Sequence, residues 1–251
     1  MTLYQRLYEK LKGSGIGTNQ TVVKAKAFYV RNFGLTKKPM MINGHSMYIG
    51  KEDTLNLLVN KSYEPASTEF LMKNAKGIGC DIGANIGYYT LLMGGLCSKV
   101  YAFEPCSETF DVLKKNIELN KMNNVTAVKA AAGDKKETKQ INHSWGGAGG
   151  NSFLDLGKWQ GEKEDVEVLK LDDYFSGIQK PDIIKMDVEG WEEEAINGGI
   201  ETFGHAKIIL FENNEELLKK MGKGTDTVIN MLKDMGFELE FNSENFIAKK
   251  H

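Results

Sequence analysis

The sequence predicts an α/β fold, a mostly parallel sheet with helices on both faces, and two observations carry that prediction. The first is the run Gly77-Ile-Gly-Cys-Asp81-Ile-Gly83-Ala-Asn85-Ile-Gly87-Tyr-Tyr-Thr90-Leu-Leu92. It reads as a strand ending at Asp81, a tight glycine turn and a helix beginning near Tyr88. The second is that from residue 76 onward strand-length apolar runs alternate with helical patterns.

The elements follow in order. Leu3, Tyr4, Leu7, Tyr8 and Leu11 fall at helical spacing, and beyond the glycine-rich break at 13–17 a second helix carries Val23, Ala27, Val30 and Phe33 on one face. Between Met40 and Ile49, Asn43-Gly44 sits between apolar flanks, the turn chemistry of a two-residue hairpin. Residues 1–60 therefore read as a helical and hairpin appendage to a main domain over 61–251. Tyr63-Glu64-Pro65 opens a helix leading into the first core strand. Val100 to Phe103 is the next strand, bounded by Ser98-Lys99 and Glu104-Pro105. Ser107 is placed to cap a helix whose apolar face is Phe110, Leu113 and Ile117, and Val125 to Val128 is the strand beyond it, which makes a right-handed βαβ unit.

The segment 139–165 breaks the alternation. Its glycines, Gly146, Gly147, Gly149 and Gly150, predict a mobile loop poorly able to hold regular structure, either a lid in which Trp145 covers a substrate or a surface insertion. Pro181 to Asp187 is then a fourth strand, Val188 to Asn197 a helix stopped by Gly198-Gly199, and Lys207 to Glu212 a fifth strand. Asp187 is also placed to cap the helix that follows it. A helix with Val228, Met231, Leu232 and Met235 leads into two short strands, 237–241 and 246–248, an antiparallel hairpin at a sheet edge.

The glycine turn selects a ligand. A dinucleotide site wants Gly-x-Gly-x-x-Gly, so that a pyrophosphate sits on the helix N-terminus, whereas here the spacing is Asp-x-Gly-x-Asn-x-Gly. An anionic Asp81 repels a pyrophosphate but attracts the ammonium of an amino-acid moiety such as that of S-adenosylmethionine. Gly83 and Gly87 let the backbone approach the ligand. Glu104, at the carboxyl end of the neighbouring strand, is placed to accept both ribose hydroxyls of an adenosine. The alternatives are a nicotinamide or flavin nucleotide, or no cofactor at all.

Composition narrows the class further. A hydrophobic content of 41% and 26% charged residues describe an ordinary globular chain. With 32 basic and 34 acidic side chains there is no basic field to recruit nucleic acid. No apolar run reaches membrane-spanning length and the first residues lack a signal-peptide core, so the expectation is a cytoplasmic protein. Cys80, Cys97 and Cys106 have no spacing that indicates a disulfide framework or a zinc site.

Taken together, the pieces resemble the FkbM family of S-adenosylmethionine-dependent methyltransferases. They are Tyr63-Glu64-Pro65, Asp81 to Thr90, Tyr101-Ala-Phe-Glu104-Pro105, Asn116-Ile-Glu-Leu-Asn120, Ala132-Gly-Asp134, Leu171-Asp172-Asp173-Tyr174 and Ile184-Lys-Met-Asp187-Val-Glu189-Gly-Trp-Glu192, in family order. The resemblance implies a Rossmann-like, seven-stranded class I methyltransferase sheet ordered 3-2-1-4-5-7-6, with S-adenosyl-L-methionine as cofactor. It implies O-methylation of a hydroxyl on a sugar, glycan or small metabolite. Carried onto this sequence, the cofactor contacts are Glu64, Asp81, Gly83, Ala84, Asn85 and Gly87, then Tyr89, Thr90, Glu104 and Asp187.

Methyl transfer to oxygen requires orienting the nucleophile and removing its proton. The candidates for that proton are Asp187, Glu189 and His143, with Glu212 beside them. Asp187, Glu212 and Asn213 form an alternative hard-oxygen Mg²⁺ set, although no metal is expected. The absence of Asn-Pro-Pro-Tyr lowers a nucleic-acid amino group as target. Competing readings are a cofactor-binding module without transfer activity and a methyltransferase acting on nitrogen.

Overall fold

A computed structural model of the chain describes residues 38–49, 63–144, 150–154, 160–212 and 226–250. The expected helices over 3–33, Trp145, Asn213 and the glycines at 146–149 lie outside the described residues. In chain order the elements are β1 (Met40–Ile42), β2 (His45–Met47), α1 (Pro65–Asn74), β3 (Ile78–Ile82), α2 (Tyr88–Gly94), β4 (Lys99–Phe103) and α3 (Ser107–Leu119). They continue as β5 (Val125–Val128), β6 (Ala131–Ala132), β7 (Glu137–Ser144), β8 (Gln160–Leu169), α4 (Leu171–Tyr174) and β9 (Ile183–Met186). The last are α5 (Glu192–Asn197), α6 (Ile200–His205), β10 (Ile208–Phe211), α7 (Thr227–Asp234), β11 (Glu238–Phe241) and β12 (Phe246–Lys249).

The main sheet has seven strands in the order β11-β12-β10-β9-β3-β4-β5. Its pairs from β10 to β5 are parallel, and β12 runs antiparallel to both β10 and β11. Counting β3 as the first strand, this is the order 3-2-1-4-5-7-6 that the resemblance implies. The strands alternate side chains between two cores, as the two-residue period demands. Ile184, Met186, Ile209 and Phe211 pack with Ala195, Phe203 and Leu232 on one face. Ile183 and Leu210 pack with Leu71, Leu91 and Leu92 on the other.

The β1–β2 hairpin forms where Asn43-Gly44 predicts it, with both turn residues at positive φ. It is docked on the main body. Ile42 and Met47 are buried in the same cluster as α2, and the Tyr48 N–H donates to Asn116 Oδ1 at 2.7 Å while Asn116 Nδ2 returns a bond to Tyr48 O at 3.0 Å.

Three expectations are corrected. Much of the segment read as a loop, 139–165, is regular: β7 and β8 pair antiparallel over most of their length, and β6 joins them in a separate three-stranded sheet. Ile141, Val166 and Val168 point inward among outward charges, a half-buried strand pattern. The backbone of Asn142 also exchanges bonds with Ser152 at 2.8 and 3.0 Å, so residues 150–154 lie against the arm. Ser107 is not a cap, because Cys106 holds that position and Ser107 gives both its N–H and its hydroxyl to Glu164. Asp187 caps no helix either, since α5 starts only at Glu192, after a turn in which Glu189 and Gly190 have positive φ.

Candidate active site

The carboxyl ends of β3, β4 and β9 open on one cleft, with Ile141 of β7, Asn151 and Phe153 on its far side; its empty space is about 1060 Å³, open solvent at the mouth included. This is the switch point of the sheet, because the chain leaves β3 towards β4 on one side and β9 lies on the other.

Asp81 lies at the floor, 2% exposed, and accepts a bond from Thr90 Oγ1 at 2.6 Å. Burial pushes its carboxyl up to about 6, against the Thr90 bond and the Lys185 charge. The turn that follows is held by contacts that only glycine permits. A Cβ on Gly83, whose φ is +80°, would stand 1.8 Å from the Asp187 carbonyl oxygen, so this glycine lets the ends of β3 and β9 meet. At Gly87, the N-cap of α2, a Cβ would meet Leu113 Cδ1 at 2.6 Å.

Glu104, 6% exposed, accepts from the Asn85 N–H at 2.8 Å, the Cys106 N–H at 2.9 Å and Thr109 Oγ1 at 2.7 Å. Burial raises its pKa and these donors oppose the rise. The Asn85 bond leaves Oε2 with further acceptor capacity beside the cleft.

Beyond β9 lies an acidic cluster, of which Asp187 and Glu189 line the cleft and Glu212 stands beside them. One carboxylate oxygen each from Asp187, Glu189 and Glu212 lies within 4.8 Å of the others, a set of hard oxygens that suits a cation. Burial and the Asp187 charge push Glu189 up to about 9, and the Asp187 charge with burial pushes Glu212 up to about 8. Lys185 stands among these acids, 1% exposed, with Nζ 3.6 Å from Asp187 Oδ2 and 5.2 Å from the Tyr89 ring centre.

The expected residues are therefore not equivalent in position. Asp81, Gly83, Ala84, Asn85, Tyr89 and Glu104 line the cleft, as do Asp187 and Glu189. Thr90 stands behind Asp81, and Glu64 acts at one remove, since Tyr89 Oη donates to Glu64 Oε2 at 2.5 Å and Asn245 Nδ2 donates to the same oxygen at 2.7 Å. His143 is not among the lining residues. It sits on β7 with Nε2 3.2 Å from Glu164 Oε2.

Sequence reasoning missed Lys185 and the aromatic wall of Phe153 and Trp191, whose rings are 4.7 Å apart with Lys139 Nζ 5.0 Å from the Trp191 ring centre. The available signal for Lys185 was a lone charge inside the otherwise apolar run Ile183-Ile-Lys-Met186.

A sheet of this order, with acids closing its first two strands over a switch-point cleft, has the architecture of a class I methyltransferase. The comparisons agree. Residues 81–239 match the Methyltransferase FkbM domain, and the chain belongs to that family. Methyltransferase sdnD of Sordaria araneosa is 30% identical over 152 residues, covering 47% of this chain and 58% of that protein. The crystal structure of Methyltransferase FkbM from Methylobacillus flagellatus KT shares the fold at a TM-score of 0.51 and 15% identity, covering 90% of this chain and 60% of that one. The chain thus spans less than two thirds of the length of either relative.

Proposed function

We propose that this chain is an S-adenosylmethionine-dependent methyltransferase that acts on a hydroxyl oxygen of a sugar, glycan or small metabolite. The observation that carries the reading is the pairing of Asp81 and Glu104, two buried carboxylates on neighbouring strand ends that both line one cleft. In this reading Asp81 holds the amino-acid ammonium and Glu104 the ribose hydroxyls. Asn85 supports it, because its Oδ1 is buried and has no hydrogen-bond partner among the described residues.

The bound cofactor supplies an electrophilic methyl on a positively charged sulfur. The chain's own part is to orient an acceptor oxygen and take its proton. Burial and the Asp187 charge hold the protons on Glu189 and Glu212 against the Lys185 ammonium. A further positive charge in the cleft lowers their pKa values, so Asp187 or Glu189, which line it, or the adjoining Glu212 becomes the proton acceptor. His143, paired with Glu164 outside the cleft lining, is the less favoured base.

Incubation of the protein with methyl-labelled S-adenosylmethionine and pools of hydroxylated metabolites and glycans tests the reading. Label is expected in an alkali-stable ether. Label on nitrogen would overturn the oxygen assignment, and cofactor binding without transfer to any pool would favour a binding module.

A further inference from the structure

We infer that Lys185 binds the carboxylate of the cofactor's amino-acid end, so that Asp81 and Lys185 together read a zwitterion; the inference rests on the cofactor reading above. Asp81 and Lys185 are register partners on the adjacent parallel strands β3 and β9. Their side chains therefore leave the same face of the sheet, on strands about 4.8 Å apart. Both line the cleft, and both are nearly inaccessible. An α-amino acid carries its ammonium and its carboxylate on one carbon. Two opposite charges on neighbouring strands, at one level of one face, are the complement of that pair.

Lys185 is also short of an acceptor. Its Nζ is buried and makes no hydrogen bond among the described residues, and Asp187 Oδ2 at 3.6 Å is an ion-pair neighbour outside hydrogen-bonding reach. Glu64, the next acid, already accepts at Oε2 from Tyr89 Oη and Asn245 Nδ2. Burial alone lowers the pKa of Lys185, but Asp187, Glu64, Glu212 and Asp81 outweigh it and hold the ammonium charged. A buried ammonium with unused N–H groups is costly unless something in the cleft accepts from it. The Tyr89 ring on one flank and the acids on the other leave the cleft as the open direction.

The test compares adenosylhomocysteine with its decarboxylated form, in which the carboxylate is replaced by hydrogen, by calorimetric titration. Wild type should bind adenosylhomocysteine about 10- to 100-fold more tightly, the worth of a charge-assisted hydrogen bond. Lys185→Met should abolish that preference by weakening adenosylhomocysteine and leaving the decarboxylated form within about 3-fold on the same scale. Lys185→Gln, a polar replacement without the charge, serves the same comparison if the Met variant does not fold. Equal losses for both ligands, or a wild type indifferent to the carboxylate, would overturn the inference and make Lys185 a counter-ion to Asp187. A wild type that binds neither ligand would overturn the cofactor reading itself.

Discussion

Gly83 and Gly177 share a φ of +80°, yet they should respond differently to alanine. At Gly177 nothing stands within 4 Å of a new Cβ, so the cost is the left-handed backbone alone, about 1 to 2 kcal/mol. At Gly83 the Cβ meets the Asp187 carbonyl oxygen at 1.8 Å, and backbone must move. Gly83→Ala should therefore lose well over about 2 kcal/mol in urea unfolding and should also disturb the cleft, because it parts the ends of β3 and β9. Equal losses for the two variants would contradict this account of the turn. Glu104→Gln should weaken adenosylhomocysteine binding by about 1 to 3 kcal/mol, since a charged acceptor is lost. Unchanged affinity in titration would remove Glu104 from the site.

Among the elements, α3 does more than connect two strands. Its buried Asn116 holds the β1–β2 hairpin through Tyr48 and the turn before α2 through Ile86 O, at 2.8 Å. Asn116→Ala leaves the Tyr48 N–H unpaired in a partly buried place, at a cost of about 1 to 3 kcal/mol. Amide exchange over residues 40–48 should accelerate relative to β3; unchanged protection there would mean that the apolar contacts of Ile42 and Met47 and the bonds of Asn120 to Ser46 hold the hairpin without Asn116.

Elements differed in how legible they were. β3, β9 and β10 read clearly because buried parallel strands are continuous apolar runs, and Asn43-Gly44 identified its hairpin through turn chemistry. β7 and β8 were hidden because Glu164, Asp165 and Glu167 break up a period marked only by Val166 and Val168, and the nearby glycines suggest a loop. Lys185 was hidden for a related reason. Its immediate neighbours in sequence are apolar, and of the acids around it only Asp187 is near in sequence, whereas Glu64, Asp81 and Glu212 come from distant stretches of chain.

For the whole molecule, the acidic cleft makes stability depend on pH in a defined direction. Glu189 and Glu212 have folded-state pKa values raised to about 9 and about 8 from an ordinary 4.5. Between those limits the unfolded chain binds fewer protons than the folded one, so rising pH favours unfolding. Asp81, at about 6, and Glu192, which burial pushes to about 7, act in the same direction over the lower part of the range. The ligand-free protein should therefore lose stability steadily from about pH 5 to about pH 9, and Glu189→Gln should flatten the slope. Urea midpoints that rise with pH would contradict the burial of these acids.

The same cleft sets the central claim, that the fold presents a cofactor site for S-adenosylmethionine. Calorimetric titration of the purified protein with adenosylhomocysteine, and separately with NADH, tests it most directly. The account predicts saturable one-to-one binding of adenosylhomocysteine and none of NADH; binding of NADH with no response to adenosylhomocysteine would contradict it.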